Sequence, residues 1–158
     1  MKEANKKFMQ EAIQLAIDSV NSGQGGPFGA VVVKDGEIIG RGSNKVTSTN
    51  DPTAHAEVVA IRDACNNLND FQLEGCEIYT SCEPCPMCLG AIYWARPSKL
   101  YYGCTQKDAA EIDFDDAFIY KEINIENINR QIPFLPFMRE EALASFKAWT
   151  DKDDKIEY

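Results

Sequence analysis

Three potential metal ligands on two separated segments constrain this chain more than any other feature. They are His55 in His55-Ala56-Glu57, and Cys85 and Cys88 in Pro84-Cys85-Pro86-Met87-Cys88. For one ion to be held by all three, the two segments must meet within a few ångströms, and helix mouths allow that. Pro86 suits the first position of a helix, which puts Cys85 at its cap and Cys88 at its third position. Side chains at those two places lie close together, and the positive end of the helix dipole favours thiolate over thiol. His55 belongs in the first turn of the preceding helix, for which Asp51-Pro52-Thr53 reads as the start, with Asp51 or Thr53 as cap. Residues two apart point to nearly opposite sides within a helix, so His55 and Glu57 share a site only if both sit at its mouth. His55 is the single histidine of the chain, so no other imidazole competes.

The rest of the pattern alternates helix and strand. Phe8, Ala12, Leu15 and Ala16 recur at helical spacing, and Gly23, Gly25 and Gly26 end that helix. Phe28 to Val33 is a strand; Asp35-Gly36 is a two-residue hairpin turn returning through residues 37–41. The second helix runs to about Asn67, and Cys76 to Ser81 is a short buried strand. The Pro86 helix ends near Ala95, before Arg96-Pro97, and Leu100 to Gly103 is the next strand. A helix from about Asp108 and an amphipathic one over Glu141 to Trp149 follow, separated by a stretch holding Pro133 and Pro136. This order predicts a mixed sheet with helices on both faces, in one domain of 158 residues.

Composition excludes several classes. No run approaches the apolar length of a membrane span, and the opening residues carry no secretory pattern. Six cysteines in a chain of this length, without an export signal, read as thiols in a reducing cytoplasm. Cys65, Cys76 and Cys104 are most simply core residues. The net charge of −9, with 25 acids against 16 bases and no basic stripe, weighs against a nucleic-acid partner.

The ligand set predicts one chemistry. Two thiolates and an imidazole leave a fourth zinc position for water and lower the pKa of that water toward about 7. Glu57, not itself a ligand, is then free to take a proton from the water and return it to substrate. Cys82 offers an alternative: Cys82-x-x-Cys85-x-x-Cys88 contains two C-x-x-C pairs, and a Cys₃His set would be a closed structural zinc. Cys82 precedes the helix start, however, and that reading leaves Glu57 with no task.

The H-x-E…P-C-x-x-C pattern resembles the cytidine deaminase-like superfamily, within it the small bacterial guanine deaminases. The resemblance spans nearly the whole chain: residues 26–30, 50–57 and 81–97, and then the block from Gly103 to Lys121 with Phe114-Asp115-Asp116-Ala117-Phe118. The early motifs are shared with bacterial tRNA adenosine deaminases, whereas the later block and Ile156-Glu157-Tyr158 are similar to the guanine enzymes.

The resemblance implies a three-layer α/β/α cytidine deaminase-like fold with a central mixed five-stranded sheet. It implies hydrolysis of guanine to xanthine and ammonia, with one zinc on His55, Cys85 and Cys88 and with Glu57 as proton shuttle. Asn44 would hydrogen-bond the purine, Ala56 would contact it, and Phe28 and Trp94 would line its faces. Asp116 would be a second acid near the amine, and only the resemblance selects it from the acidic run over residues 108–116. The segment from about 137 to 158 would pack as a lid or as a tail exchanged within a homodimer, bringing Tyr158 to the pocket. Competing readings are adenosine-to-inosine editing on tRNA, deamination of a cytosine nucleoside or nucleotide, and a non-catalytic zinc module.

Overall fold

A computed structural model describes residues 4–158, which divide into two compact units, the first ending at Asp116 and the second spanning Ala117–Tyr158. The first unit opens with α1 (Lys6–Asn21), capped by the Asn5 side chain, which accepts from the Lys7 N–H. Strands β1 (Gly29–Lys34) and β2 (Glu37–Ser43) form a hairpin. Asp35 and Gly36 both adopt positive φ, 51° and 85°, as a type I′ turn demands. A one-turn helix, α2 (Val46–Thr49), precedes α3 (Ala56–Leu68). Then come β3 (Glu77–Cys82), α4 (Pro86–Ala95), β4 (Lys99–Cys104) and α5 (Gln106–Ala110).

The sheet order is β2-β1-β3-β4, with β1 antiparallel to both neighbours and β3 parallel to β4. This is a mixed sheet of four strands, not the five expected. After β4 the Thr105 side chain caps α5 and turns the chain helical, and no later described segment is a strand, so β4 is an edge.

Both faces of the sheet are covered at β1 and β3, which is why β1 reads as an apolar run without alternation. On one side Val31, Val33 and Tyr79 pack with Phe8 and Ala12 of α1. On the other, Ala30, Val32 and Ile78 pack with Ala56, Ala60 and Ala64 of α3 and Ile92 and Ala95 of α4. Val31 and Val32 are fully buried on opposite faces, each contributing about 1.5–3 kcal/mol through removal from water.

The Ala56/Ala60/Ala64 stripe meets Gly40 and Gly42 of β2 at close range. A Cβ on Gly42 would lie 2.1 Å from the Ala56 carbonyl oxygen, and one on Gly40 would lie 2.5 Å from that of Ala60. Bare glycine backbone is therefore what lets α3 sit low enough for its N-terminus to reach the opening of α4.

In the second unit, α6 (Ala117–Ile123) and α7 (Arg139–Thr150) flank a 3₁₀ turn at Asn127–Asn129. Arg130 ties the turn together: its Nε donates to the Glu122 carbonyl at 2.9 Å and its guanidinium lies over the Phe134 ring. No residue of α7 is buried, and Phe146 is 71% exposed. No helix among the described residues is long and apolar enough to cross a membrane.

Candidate metal centre and substrate cavity

Two helix mouths build the centre. Cys85 is the N-cap of α4, with Pro86 at the start of the helix and Cys88 in its first turn, as the spacing predicts. His55 is the N-cap of α3, with extended backbone at φ −69° and ψ 154°. This corrects the expected start at Asp51-Pro52-Thr53. Asp51 Oδ1 instead accepts from the Thr53 N–H at 2.8 Å and its hydroxyl at 2.7 Å, closing a separate turn. The helix then begins at Ala56, so His55 projects from the mouth and Glu57 follows in the first turn.

His55 Nδ1 lies 3.5 Å from both Cys85 Sγ and Cys88 Sγ, and all three donor atoms fall within 4.8 Å of one another. A tetrahedral ion with a Zn–S bond of about 2.3 Å and a Zn–N bond of about 2.05 Å separates nitrogen from sulfur by about 3.6 Å. The donor set and its spacing thus fit one zinc, with Nδ1 as the ligating nitrogen. Cys82 is not in the group: its thiol donates to the Thr105 carbonyl oxygen at 3.6 Å, and burial pushes its pKa up to about 11. A closed Cys₃His site therefore has no support here.

The charges around the centre are coupled. Hydrogen bonding from Cys88 and from His55 holds Cys85 down to about 4, while Cys88, buried and facing that thiolate, is pushed up. The hydrogen bond to Cys85 raises His55. A dication held here would bind these groups as thiolates and neutral imidazole, releasing their protons. Glu57 is 6% exposed, and burial raises its carboxyl above the ordinary glutamate range. Its Oε2 accepts from the Cys88 thiol at 3.4 Å, so the carboxylate stands beside the ligands without belonging to the set.

A cavity of about 420 Å³ opens onto His55, Cys85 and Glu57. Asn44, Phe28 and Asp116 line it. Asn44 is 6% exposed, and its Oδ1 accepts from the N–H groups of Gly26 (3.3 Å) and Val46 (3.2 Å). With the oxygen so committed, only Nδ2 remains to meet a ligand, as a donor. Gly25 permits this placement, because a Cβ there would lie 2.5 Å from Asn44 Oδ1. Burial, and next the Cys85 thiolate, raises the Asp116 carboxyl. The Ala56 methyl is fully buried in the core, so that residue can offer a ligand only its backbone N–H, which the helix leaves unsatisfied.

Trp94 is not brought to this cavity. It lies nine residues along α4 from Cys85, about 13 Å down the axis, and is 65% exposed. Phe114 supplies the second ring instead, set edge-on to Phe28 with centroids 5.0 Å apart. Its only signal in the sequence was an aromatic inside the acidic run. Glu83 also lines the cavity, accepting from the Gln106 N–H at 3.1 Å and so tying the loop before Cys85 to the mouth of α5. Tyr158 ends the second unit and is 68% exposed.

Residues 2–104 match the family described as the cytidine and deoxycytidylate deaminase zinc-binding region. The chain belongs to that family. The matched span contains all three ligand positions, so the centre at the two helix mouths is the family's zinc-binding region in this chain. Over 154 residues the chain is 56% identical to guanine deaminase of Bacillus subtilis, covering 98% of this chain and 99% of that protein. A crystal structure of the Bacillus subtilis guanine deaminase superposes with a TM-score of 0.96 at 56% identity, over 99% of both chains. A guanine deaminase from Nitrosomonas europaea is 32% identical with a TM-score of 0.68, over 73% of this chain and 67% of that one. The tRNA-specific adenosine deaminase of Aquifex aeolicus is 43% identical over 100 residues, which is 63% of this chain and 66% of that protein.

Proposed function

We propose that this protein is a zinc-dependent guanine deaminase, hydrolysing guanine at C2 to xanthine and ammonia. The observation that carries the reading is 56% identity to a guanine deaminase over 98% of the chain, through the second unit as well as the first. The likeness to the Aquifex tRNA deaminase covers 63% of the chain. The excess of acids over bases points the same way, since polyanion binding rests on cationic surface.

Zinc held by His55, Cys85 and Cys88 supplies Lewis acidity, making water nucleophilic at neutral pH. The protein's own groups do the rest. Glu57, beside the ligands and raised by burial, takes a proton from the attacking water and delivers it to a ring nitrogen. Asp116, also raised, stands on the cavity wall as a second acid for the departing amine. Asn44 Nδ2 and the Ala56 N–H orient the purine through its acceptors, and Phe28 and Phe114 form an aromatic wall.

The second unit completes the reading. Its α7 carries Leu143, Phe146 and Trp149 without a buried position, as suits a helix that packs on a partner. Our reading is a cytoplasmic homodimer in which residues 137–158 serve as a lid or exchanged tail that brings Tyr158 to a pocket. Ammonia release from guanine by zinc-loaded protein, run beside cytosine, cytidine, adenine and a tRNA anticodon stem-loop, tests the proposal. Turnover of guanine alone supports it; turnover of another base and not guanine overturns the substrate.

A further inference from the structure

Beside the substrate cavity lies a second one, of about 760 Å³, between α1 and the end of the sheet. Phe28, Cys82 and Ala109 line both, so the two cavities share a wall. The second contains a pair of thiols. Cys82 and Cys104 are register partners on the parallel strands β3 and β4 and line the same cavity, so their side chains leave the same face of the sheet. Both are free. The Glu83 N–H donates to the Cys104 carbonyl oxygen at 2.8 Å, fixing the ends of the strands together. Adjacent strands place paired Cα atoms about 4.8 Å apart, inside the window of about 4.4–6.8 Å that disulfides occupy. The Cys82 thiol already points at β4, donating to the Thr105 carbonyl oxygen next to Cys104.

We propose that Cys82 and Cys104 form a redox-modification site for hydroperoxides, closing a disulfide across the end of the sheet. Cys104 is exposed, whereas Cys82 is buried, so Cys104 meets the oxidant first. This corrects its expected place in the core: β4 is an edge strand, and its last residues face solvent. Cys104 loses its proton and its thiolate attacks one peroxide oxygen. The O–O bond breaks, the sulfur becomes a sulfenic acid, and the other oxygen takes up that proton and leaves as water from hydrogen peroxide or as an alcohol from an organic hydroperoxide. Cys82 then gives up its proton and attacks that sulfur; the S–O bond breaks, the hydroxyl leaves with that proton as water and the S–S bond forms. Two thiols lose two electrons to one peroxide. Forming the bond pulls Cys82 Sγ away from Thr105, whose hydroxyl caps the helix leading to Phe114 and Asp116. The oxidised form is therefore slowed at the neighbouring substrate cavity.

The test treats zinc-loaded, full-length protein with hydrogen peroxide, blocks the remaining thiols and maps peptides, measuring zinc content and deamination rate in parallel. The expected result is a linked Cys82–Cys104 peptide with zinc retained and the rate lowered severalfold, recovered by a dithiol reductant. Cys104→Ser, a surface change that leaves the fold intact, should form no link and keep its rate under the same treatment. Absence of the linked peptide, or an equal rate loss in Cys104→Ser, overturns the proposal. The linked peptide is read by mass, so this outcome is independent of which base the enzyme deaminates.

Discussion

The Cys88 thiol donates to Glu57 Oε2 across 3.4 Å, joining a ligand position on α4 to a buried carboxylate on α3. A carboxylate in that place would stand beside an ion held by His55, Cys85 and Cys88 without belonging to its donor set. Glu57→Gln keeps the volume and the hydrogen-bonding capacity but removes the proton shuttle. The variant should bind one zinc and melt as a folded protein, with kcat lowered by about 10²–10⁴-fold, the range typical of a lost acid–base group. Steady-state kinetics with zinc quantification decide it; near-normal turnover would falsify the role.

Cys82 and Cys85 sit three residues apart yet should behave in opposite ways. Cys85→Ser removes one of three ligands and should release zinc to a chromogenic chelator at concentrations the parent resists. Cys82→Ser should retain one zinc per chain, because the Cys82 thiol lies outside the donor group. Loss of zinc from Cys82→Ser would reinstate the closed four-ligand site.

The contact of Gly42 with Ala56 sets the height of α3 over the sheet. Gly42→Ala places a methyl 2.1 Å from the Ala56 carbonyl oxygen, and only backbone movement relieves it. Overpacking of this kind costs about 1–3 kcal/mol. Because Ala56 adjoins His55, the same shift should weaken zinc retention. Urea denaturation and chelator competition on one preparation test both effects.

Asp108 links pH to the helix that leads into Phe114 and Asp116. Its carboxylate accepts from the Thr105 N–H and hydroxyl, both at 2.7 Å, which holds its pKa below the ordinary 3.8. A depressed carboxylate contributes stability that is present above 3.8 and is lost as pH falls through the folded value. Asp108→Ala should therefore lower the melting temperature at neutral pH, with the gap to the parent closing in acid. A gap that stayed constant down to low pH would assign the effect to lost packing.

Deleting Ile156-Glu157-Tyr158 should raise KM for guanine or lower kcat while the melting temperature stays within a few degrees. The removed residues are largely exposed, Ile156 and Tyr158 each at 68%. Unchanged kinetics would count against a closing tail.

The sequence by itself determined the chemistry and most of the element order. Cys85-Pro86-Met87-Cys88 specifies a helix opening and a ligand pair together, because a proline at the first helical position fixes the cap beside it. Asp35-Gly36 specifies the hairpin, since both residues tolerate the positive φ of its turn. Such features are local, and local rules read them. Tertiary structure decided what depends on contacts between distant segments. The start of α3 moved to Ala56 because Asp51 closes a turn on Thr53, and the sheet stopped at four strands because Thr105 caps a helix after β4. Phe114 lines the substrate cavity and Trp94 is not among its lining residues, since an aromatic ring declares its apolar surface in the sequence but not the direction it faces. Glu83 and the Cys82–Cys104 pair emerged only once strand register put their partners beside them. Ligand spacing along a helix is fixed by the helix itself; which wall a side chain joins is fixed by how the layers pack.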